Sequence, residues 1–343
     1  MEFLVKKLKN ISYTIKYSIL FKMKKIKNII TIILFIIYII TGIYLVREII
    51  SNSGKHKELF TEYTENINFQ SRIFTANQWF NGDILFKIND TKLINIKENT
   101  DKSSINDLKD TALEYLQKTK INSQILFCIS FIFLIIIFLL NINNFRKNKQ
   151  PIFLTVTTIA LVFLIIGIFS PALEIKAYSN DLKIEYEKND IEFKLFYVKK
   201  YIDINFTKTF NGETYFYYQN KSIYEIIEVL FKEENYIVGI SLLLFSVIIP
   251  FLKLVLSIVL YFSKQKNKIT FVIVKNIGKW SMADVFVAAL FLAYLSFNNM
   301  ASGVETESNV LYGLYFFLGY VILSIISTFF LINENSEIKT NNI

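Results

Sequence analysis

Two ionisable residues sit where charge is costly. Asp284 lies about one turn inside the apolar stretch Lys279–Phe297, K-W-S-M-A-D-V-F-V-A-A-L-F-L-A-Y-L-S-F, and Lys253 lies inside the apolar run Tyr236–Phe262. An acid or an amine within a membrane span marks a candidate functional site by default, because hydrocarbon does not solvate it. If Phe262 and Trp280 both mark the cytoplasmic interface, Lys253 is about 13 Å deep and Asp284 about 6 Å. A lysine stem can snorkel across that difference, so a buried Lys253–Asp284 pair is expected. The plainer alternative is that each ion only satisfies the helix bundle. Pro250, three residues before Lys253, is expected to kink its helix, freeing backbone carbonyls for a cavity or a neighbouring helix. Trp280 reads as an anchor at the headgroup level.

Other chemistry is sparse. There is no Ser/His/Asp set, no P-loop and no H-E-x-x-H string, so the chain does not read as an enzyme. The single cysteine, Cys128, lies in an apolar run and allows neither an internal disulfide nor a thiolate metal cluster. No cofactor and no metal are expected. The one histidine, His56, falls in a polar stretch and reads as solvated.

The elements that must position Lys253 and Asp284 are membrane spans. Hydrophobic residues make up 53% of the chain, with 33 Phe and only three Pro, and the mean hydropathy is +0.39. That is not the composition of a soluble domain. The net charge of +9 is segregated: residues 1–28, 144–150, 263–279 and 332–343 together hold 17 Lys/Arg against 3 Asp/Glu, and the rest holds 21 against 26. This is the positive-inside pattern and not a nucleic-acid footprint.

The chain reads in order as an α-helical integral membrane protein with six transmembrane helices and both termini cytoplasmic. Residues 1–28 form a basic cytoplasmic N-terminus. They are either an interfacial helix on anionic lipid or, up to Met23, residues ahead of the true translation start. Residues 29–142 form a two-helix hairpin with spans 29–46 and 125–142. The first resembles a signal peptide, but no alanine precedes Ala76, so it reads as a retained anchor. Between them lies an extracytoplasmic domain, 51–123, with helical stretches at Lys55–Thr64 and Ser104–Lys118 and two short strands within Ile84–Ile96. A four-helix module, 152–332, follows with spans 152–170, 236–262, 281–297 and 310–331, and 333–343 is a cytoplasmic tail.

Segment 171–232 of this module is β-rich. Leu182, Ile184 and Tyr186 alternate with charged residues, as do Ile191, Phe193 and Leu195, then Ile202, Ile204 and Phe206. Asn211-Gly212 reads as a hairpin turn before a strand at Tyr215–Tyr218. The segment is thus a small extracytoplasmic antiparallel sheet, with Tyr215–Tyr218 in its core. Ser222-x-x-Glu225 reads as a capping box that opens an amphipathic helix. Gly303 and Gly313 read as a turn and a close helix contact.

The string Trp280-Ser281-Met282-Ala283-Asp284-Val285-Phe286 resembles the W-x-M-x-D-V-F signature of the paraquat-inducible protein A family, bacterial inner-membrane proteins. The resemblance extends over 152–332, through Pro171, the S-I-x-E-I-I-x-x-L-like stretch Ser222–Leu230 and Pro250-Phe-Leu-Lys253-Leu. It implies four helices with a small outer sheet after the first. It also implies a role in intermembrane phospholipid transport beside a periplasmic protein with mammalian cell entry domains; a structural or envelope-stress subunit without its own substrate is the alternative. Typical members carry two such modules with paired C-x-x-C zinc ribbons. This chain has one module and no such cysteines.

Overall fold

The computed structural model describes residues 2–72, 102–142, 150–195, 198–262, 289 and 305–340, with side chains over 26–72, 105–142, 151–183, 209–259, 289 and 305–328. Trp280–Phe286, the expected span 281–297, Ile84–Ile96 and Gly303 lie outside the described residues.

With no proline before Pro151, nothing interrupts the first two helices. Helix α1 runs Glu2–Asn66 and α2 runs Lys102–Asn141. At 65 residues, α1 is about 98 Å long, roughly three times the hydrocarbon thickness of a bilayer. Lys55–Thr64 and Ser104–Lys118 are therefore turns of these same two helices. Each proline then marks a junction. Pro151 sits in the first turn of α3 (Gln150–Phe169), and Pro171 ends that helix by opening strand β1 (Pro171–Leu195). Strand β2 (Val198–Ser222) leads into α4 (Ile223–Lys232). Helix α5 (Tyr236–Leu243) passes through a π-turn, Leu244–Ile248, into α6 (Ile249–Phe262), with Pro250 in its first turn. Strand β3 (Glu305–Val310) and α7 (Tyr312–Thr340) close the described chain.

Among the described residues four helices are long and apolar enough to cross a membrane, α1, α2, α3 and the α5–α6 unit; the apolar part of α7, Tyr312–Thr328, is shorter. The chain is a multi-pass membrane protein. Helix α3 is its axis: 72% of its apolar window is buried against 17% for that of α1. Aromatic rings knit it to its neighbours. Phe163 meets Phe316 at 5.1 Å and Phe127 at 5.0 Å, and Phe127 stacks on Phe316 at 4.6 Å. On the far side of α2, Tyr38 stacks on Phe133 at 4.5 Å and bonds Ser130 Oγ at 3.0 Å. Helices α3 and α7 approach closely because glycine lies between them. A Cβ on Gly167 would stand 2.8 Å from the Phe317 backbone, and one on Gly313 2.3 Å from the Ser170 carbonyl.

The sheet is antiparallel in the order β2-β1-β3. It differs from expectation in two ways. Asn211-Gly212 is not the hairpin turn, because β1 and β2 stay in register out to Leu195↔Val198. Instead the ladder is interrupted between Asn180↔Glu213 and Leu182↔Phe210, where Asp181 opposes Asn211-Gly212. Gly212 has φ +88° and Asp181 φ 53°, and the Gly212 N–H donates to Asp181 Oδ1 at 2.9 Å. The dipeptide is a bulge, which needs the same left-handed backbone as the turn it resembles. The second difference is β3. Part of the expected polar loop pairs with β1 from Tyr178↔Glu305 to Leu173↔Val310, making the base of the ribbon three-stranded.

The capping box is present as expected: the Glu225 N–H donates to Ser222 Oγ at 3.2 Å and the Ser222 N–H to Glu225 Oε2 at 2.8 Å. Ile223 and Ile227 of α4 are buried in the helix-bundle core.

Candidate functional site

Lys253 is 4% exposed, the one charged side chain buried in the described apolar spans. Its Nζ donates to Ser324 Oγ on α7 at 2.7 Å and to the Ser324 carbonyl at 3.4 Å. A polar seam surrounds it. Ser257 Oγ donates to the Lys253 carbonyl at 2.7 Å, Thr328 Oγ1 donates to the Ser324 carbonyl at 2.9 Å, and Ser327 Oγ meets Thr157 Oγ1 at 2.8 Å. Helices α3, α6 and α7 thus contribute hydroxyls to a line through an otherwise apolar bundle. Among the described residues Lys253 has hydroxyl and carbonyl acceptors and no carboxylate. Such acceptors solvate an ammonium but do not neutralise it, and a buried charge is stable only when paired or hydrogen-bonded.

The local backbone helps to place this amine. At the end of the π-turn the Ile249 N–H reaches back five residues to the Leu244 carbonyl. Pro250 then follows, lacking an N–H to give. The extra residue of a π-turn rotates everything after it around the helix axis. A π-turn thus precedes Pro250, where the sequence predicts a kink. Pro250 is itself buried. Asp284, Trp280, Ser281, Met282, Val285 and Phe286 lie outside the described residues.

A second polar cluster joins the outer ends of α1 and α2 to the sheet. Phe60, Tyr63, Ile67, Ala112 and Tyr215 form its buried centre, with Tyr178 and Tyr218 against them. Of the expected aromatic core, Tyr215 is buried and Tyr218 half-buried, whereas Phe216 and Tyr217 are exposed. The Tyr215 N–H donates to the Ile67 carbonyl at 3.3 Å. Around the rings, Glu213 accepts from Lys109 at 3.2 Å and from Tyr215 OH at 3.0 Å, and Lys57 pairs with Glu225. Burial pushes the Glu213 carboxyl up, but the bonds from Tyr215 and Lys109 outweigh it and hold the group below the usual carboxylate range.

His56 belongs to this cluster and corrects its expected solvation. It is 4% exposed, because it lies on the helical face it shares with Phe60 and Tyr63 rather than in a loop. Its Nδ1 bonds the Ala112 carbonyl of α2 at 2.9 Å. Burial lowers its pKa, so the imidazole is neutral with the proton on Nδ1. Sequence periodicity held the missed signal: His56, Phe60, Tyr63 and Ile67 follow i, i+4, i+7, i+11 spacing. Among the described residues no group of three or more His, Cys, Asp or Glu is placed to hold a metal.

Comparison with known proteins returns one family. Residues 205–332 match the model described as Paraquat-inducible protein A. No curated protein and no solved structure matches. The match runs from within β2 through α4, α5–α6 and the Trp280–Phe286 string into α7. It begins at 205 and not at 152, so α3 and β1 fall outside it although α3 packs directly on α7. Residues 205–332 of this chain are thus similar to the family described as Paraquat-inducible protein A.

Proposed function

We propose that this chain is a non-enzymatic component of an intermembrane phospholipid transport system in the bacterial inner membrane, working beside a periplasmic protein with mammalian cell entry domains. The observation that carries the reading is the family match over 205–332. The positive-inside charge distribution supports six spans with both termini cytoplasmic, which puts the sheet and the outer ends of α1 and α2 on the periplasmic side. Lys253 and Asp284 form the intramembrane pair of the module. Their motivation is the placement of both in apolar runs and the lack of a described carboxylate at Lys253.

Deletion of the gene tests the transport role. The expected result is an altered phospholipid distribution between the two membranes, detergent sensitivity, and co-purification of this chain with a mammalian cell entry-domain protein. Normal lipid distribution in a strain lacking this chain and any paralogue contradicts it. Orientation is tested by replacing Cys128 with Ala and introducing a single Cys at Asn99, Asn211 or Asn267. An impermeant thiol reagent should label the first two in spheroplasts and spare Asn267 until lysis; labelling of Asn267 in intact cells overturns the orientation.

One feature favours a second reading, an assembly subunit that handles no substrate. The outer aromatic cluster and its ion pairs fasten the α1–α2 hairpin firmly to the sheet, as a scaffold would require. Under that reading deletion abolishes assembly of a partner complex, and substitutions in the intramembrane seam leave its activity intact.

A further inference from the structure

A cleft of about 1150 Å³ opens along one side of the bundle between α1 and α3. It exceeds the roughly 300–1,000 Å³ of ordinary ligand pockets. Its length is fixed by the residues at its ends. Lys27 lines one end and Arg47 the other, and twenty helical residues span about 30 Å, the hydrocarbon thickness of a bilayer. The walls between are apolar: Phe35, Ile39 and Ile43 on α1 face Leu154, Leu161 and Ile165 on α3. The few polar side chains along these walls are turned back on their own helices. Thr31 Oγ1 donates to the Lys27 carbonyl at 2.9 Å, Thr158 Oγ1 to the Leu154 carbonyl at 2.8 Å, and Asn141 Nδ2 to the Ile137 carbonyl at 2.8 Å. The middle of the cleft therefore presents its occupant with hydrocarbon, and no carboxylate lines it.

We infer that this cleft seats a phospholipid with an anionic headgroup, its phosphate at Arg47 and its acyl chains along Phe35–Ile43. Three features select that occupant over others. An apolar helix of a partner would fill the walls but leave Arg47 without an anion. A polar small molecule would find few hydrogen-bonding groups along the middle of the walls. An anionic lipid, one leaflet long, matches the apolar wall between Arg47 and Phe35 and the cation at its head, whose guanidinium takes a phosphate in bidentate fashion. Most of the seat lies outside the matched segment 205–332, since its walls come mainly from α1 and α3, with Ile258 of α6 at its margin. It deepens the transport reading and rests on it for its purpose, though not for its existence.

The test uses the full chain reconstituted in vesicles of phosphatidylethanolamine with a minor fraction of phosphatidylglycerol carrying a photoactivatable acyl chain. After irradiation, adducts should concentrate on Phe35–Ile43 and Leu154–Ile165. Phe131 and Ile132, exposed apolar residues of α2, serve as the control for ordinary bilayer contact. Arg47→Gln should lower cleft labelling about three- to tenfold, as expected for loss of a charge-assisted contact. Arg47→Lys should retain most of it, and labelling at Phe131 should stay constant. Ile39→Trp with Leu161→Trp should empty the cleft of adducts. Equal labelling of cleft and control residues overturns the seat, as does indifference to Arg47→Gln; the latter substitution is at an exposed side chain and leaves the core alone. Because this readout needs no transport, its failure leaves the transport reading standing. Intact labelling with failed complementation leaves the seat standing alone.

Discussion

The two polar clusters of this molecule solve opposite problems. Outside the apolar spans, Glu213, Lys109, Lys57 and Glu225 ring a buried aromatic centre and remain partly solvated, with side-chain exposures of 23–34%. Their charges are matched one for one, and water relieves any mismatch. Inside, Lys253 is 4% exposed and meets hydroxyls and a carbonyl. These two outer pairs are thus worth little, since partly exposed pairs contribute about 0–1 kcal/mol; Glu174, buried and paired with Lys176 at 3.0 Å, is the exception among the outer ions, and the rings do most of the holding. The inner amine is worth a great deal to whatever neutralises it. A bundle seeking stability alone would place methionine or leucine at position 253, because an apolar replacement of a buried ion pair is often neutral or stabilising. Charge retained at that depth points to use.

The comparison breaks most visibly at Lys253 itself. Lys253→Met should cost roughly 3–5 kcal/mol if it strands Asp284 as a buried unpaired carboxylate. Thermal unfolding in mild detergent reads the loss. Asp284→Leu should show a loss of similar size, and an unchanged melting temperature in either variant removes the pair.

At the outer cluster the large effect should belong to a ring. Phe60 is 3% exposed and touches His56, Tyr63, Tyr215 and Tyr218. Phe60→Ala should destabilise by about 3–5 kcal/mol through the cavity it leaves. Protease sensitivity between α1 and the sheet should rise with it. If Phe60→Ala matches wild type in both assays, the aromatic centre is not what fastens the hairpin.

A smaller effect is expected from protons. The folded-state pKa of Glu213 lies below its ordinary 4.5. Its contribution is therefore present above that value and is lost as pH falls through the folded pKa. His56 has a folded pKa below 6.5, through burial first and despite its bond to Ala112. The unfolded chain then binds the extra proton, so its contribution is full above pH 6.5 and declines as pH falls below it. Glu174 and Lys176 on β1 act on it in opposite directions. Both groups loosen the outer cluster on acidification. The melting temperature should fall between pH 7.5 and 5.5, and His56→Leu should flatten that slope. Least of all should come from Lys109 and Glu213 as a pair, with a coupling of no more than about 1 kcal/mol in a double-mutant cycle.

How much of this was legible in the sequence depended on whether a signal had one structural meaning. Ser222-x-x-Glu225 did: a hydroxyl and a carboxylate three residues apart before an apolar helix have one economical use, and the capping box is there. Asn211-Gly212 had two, because a hairpin turn and a bulge ask for the same left-handed backbone, and only cross-strand register separates them. Strand β3, Glu-Thr-Glu-Ser-Asn-Val, gave little warning. An edge strand with a solvated flank lacks the apolar alternation by which strands are recognised. Lys253 reads in the sequence as a costly residue, whereas its partner Ser324 does not stand out singly. Ser324, Ser327 and Thr328 on an otherwise apolar helix form the stripe that would have identified it. His56 was misplaced because the polarity of its neighbours hid a helical spacing. Spans were easy to find, and their packing partners were not, since Ile, Leu and Phe fit many neighbours equally well.

The measurement that bears most directly on the contrast between the two clusters is the double replacement Lys253→Met with Asp284→Leu, scored for both stability and complementation of a deletion strain. A functional ion pair predicts a double variant that recovers most of the stability lost by either single change and yet fails to restore envelope lipid distribution. Stability losses that simply add, or a double variant that complements fully, would contradict it.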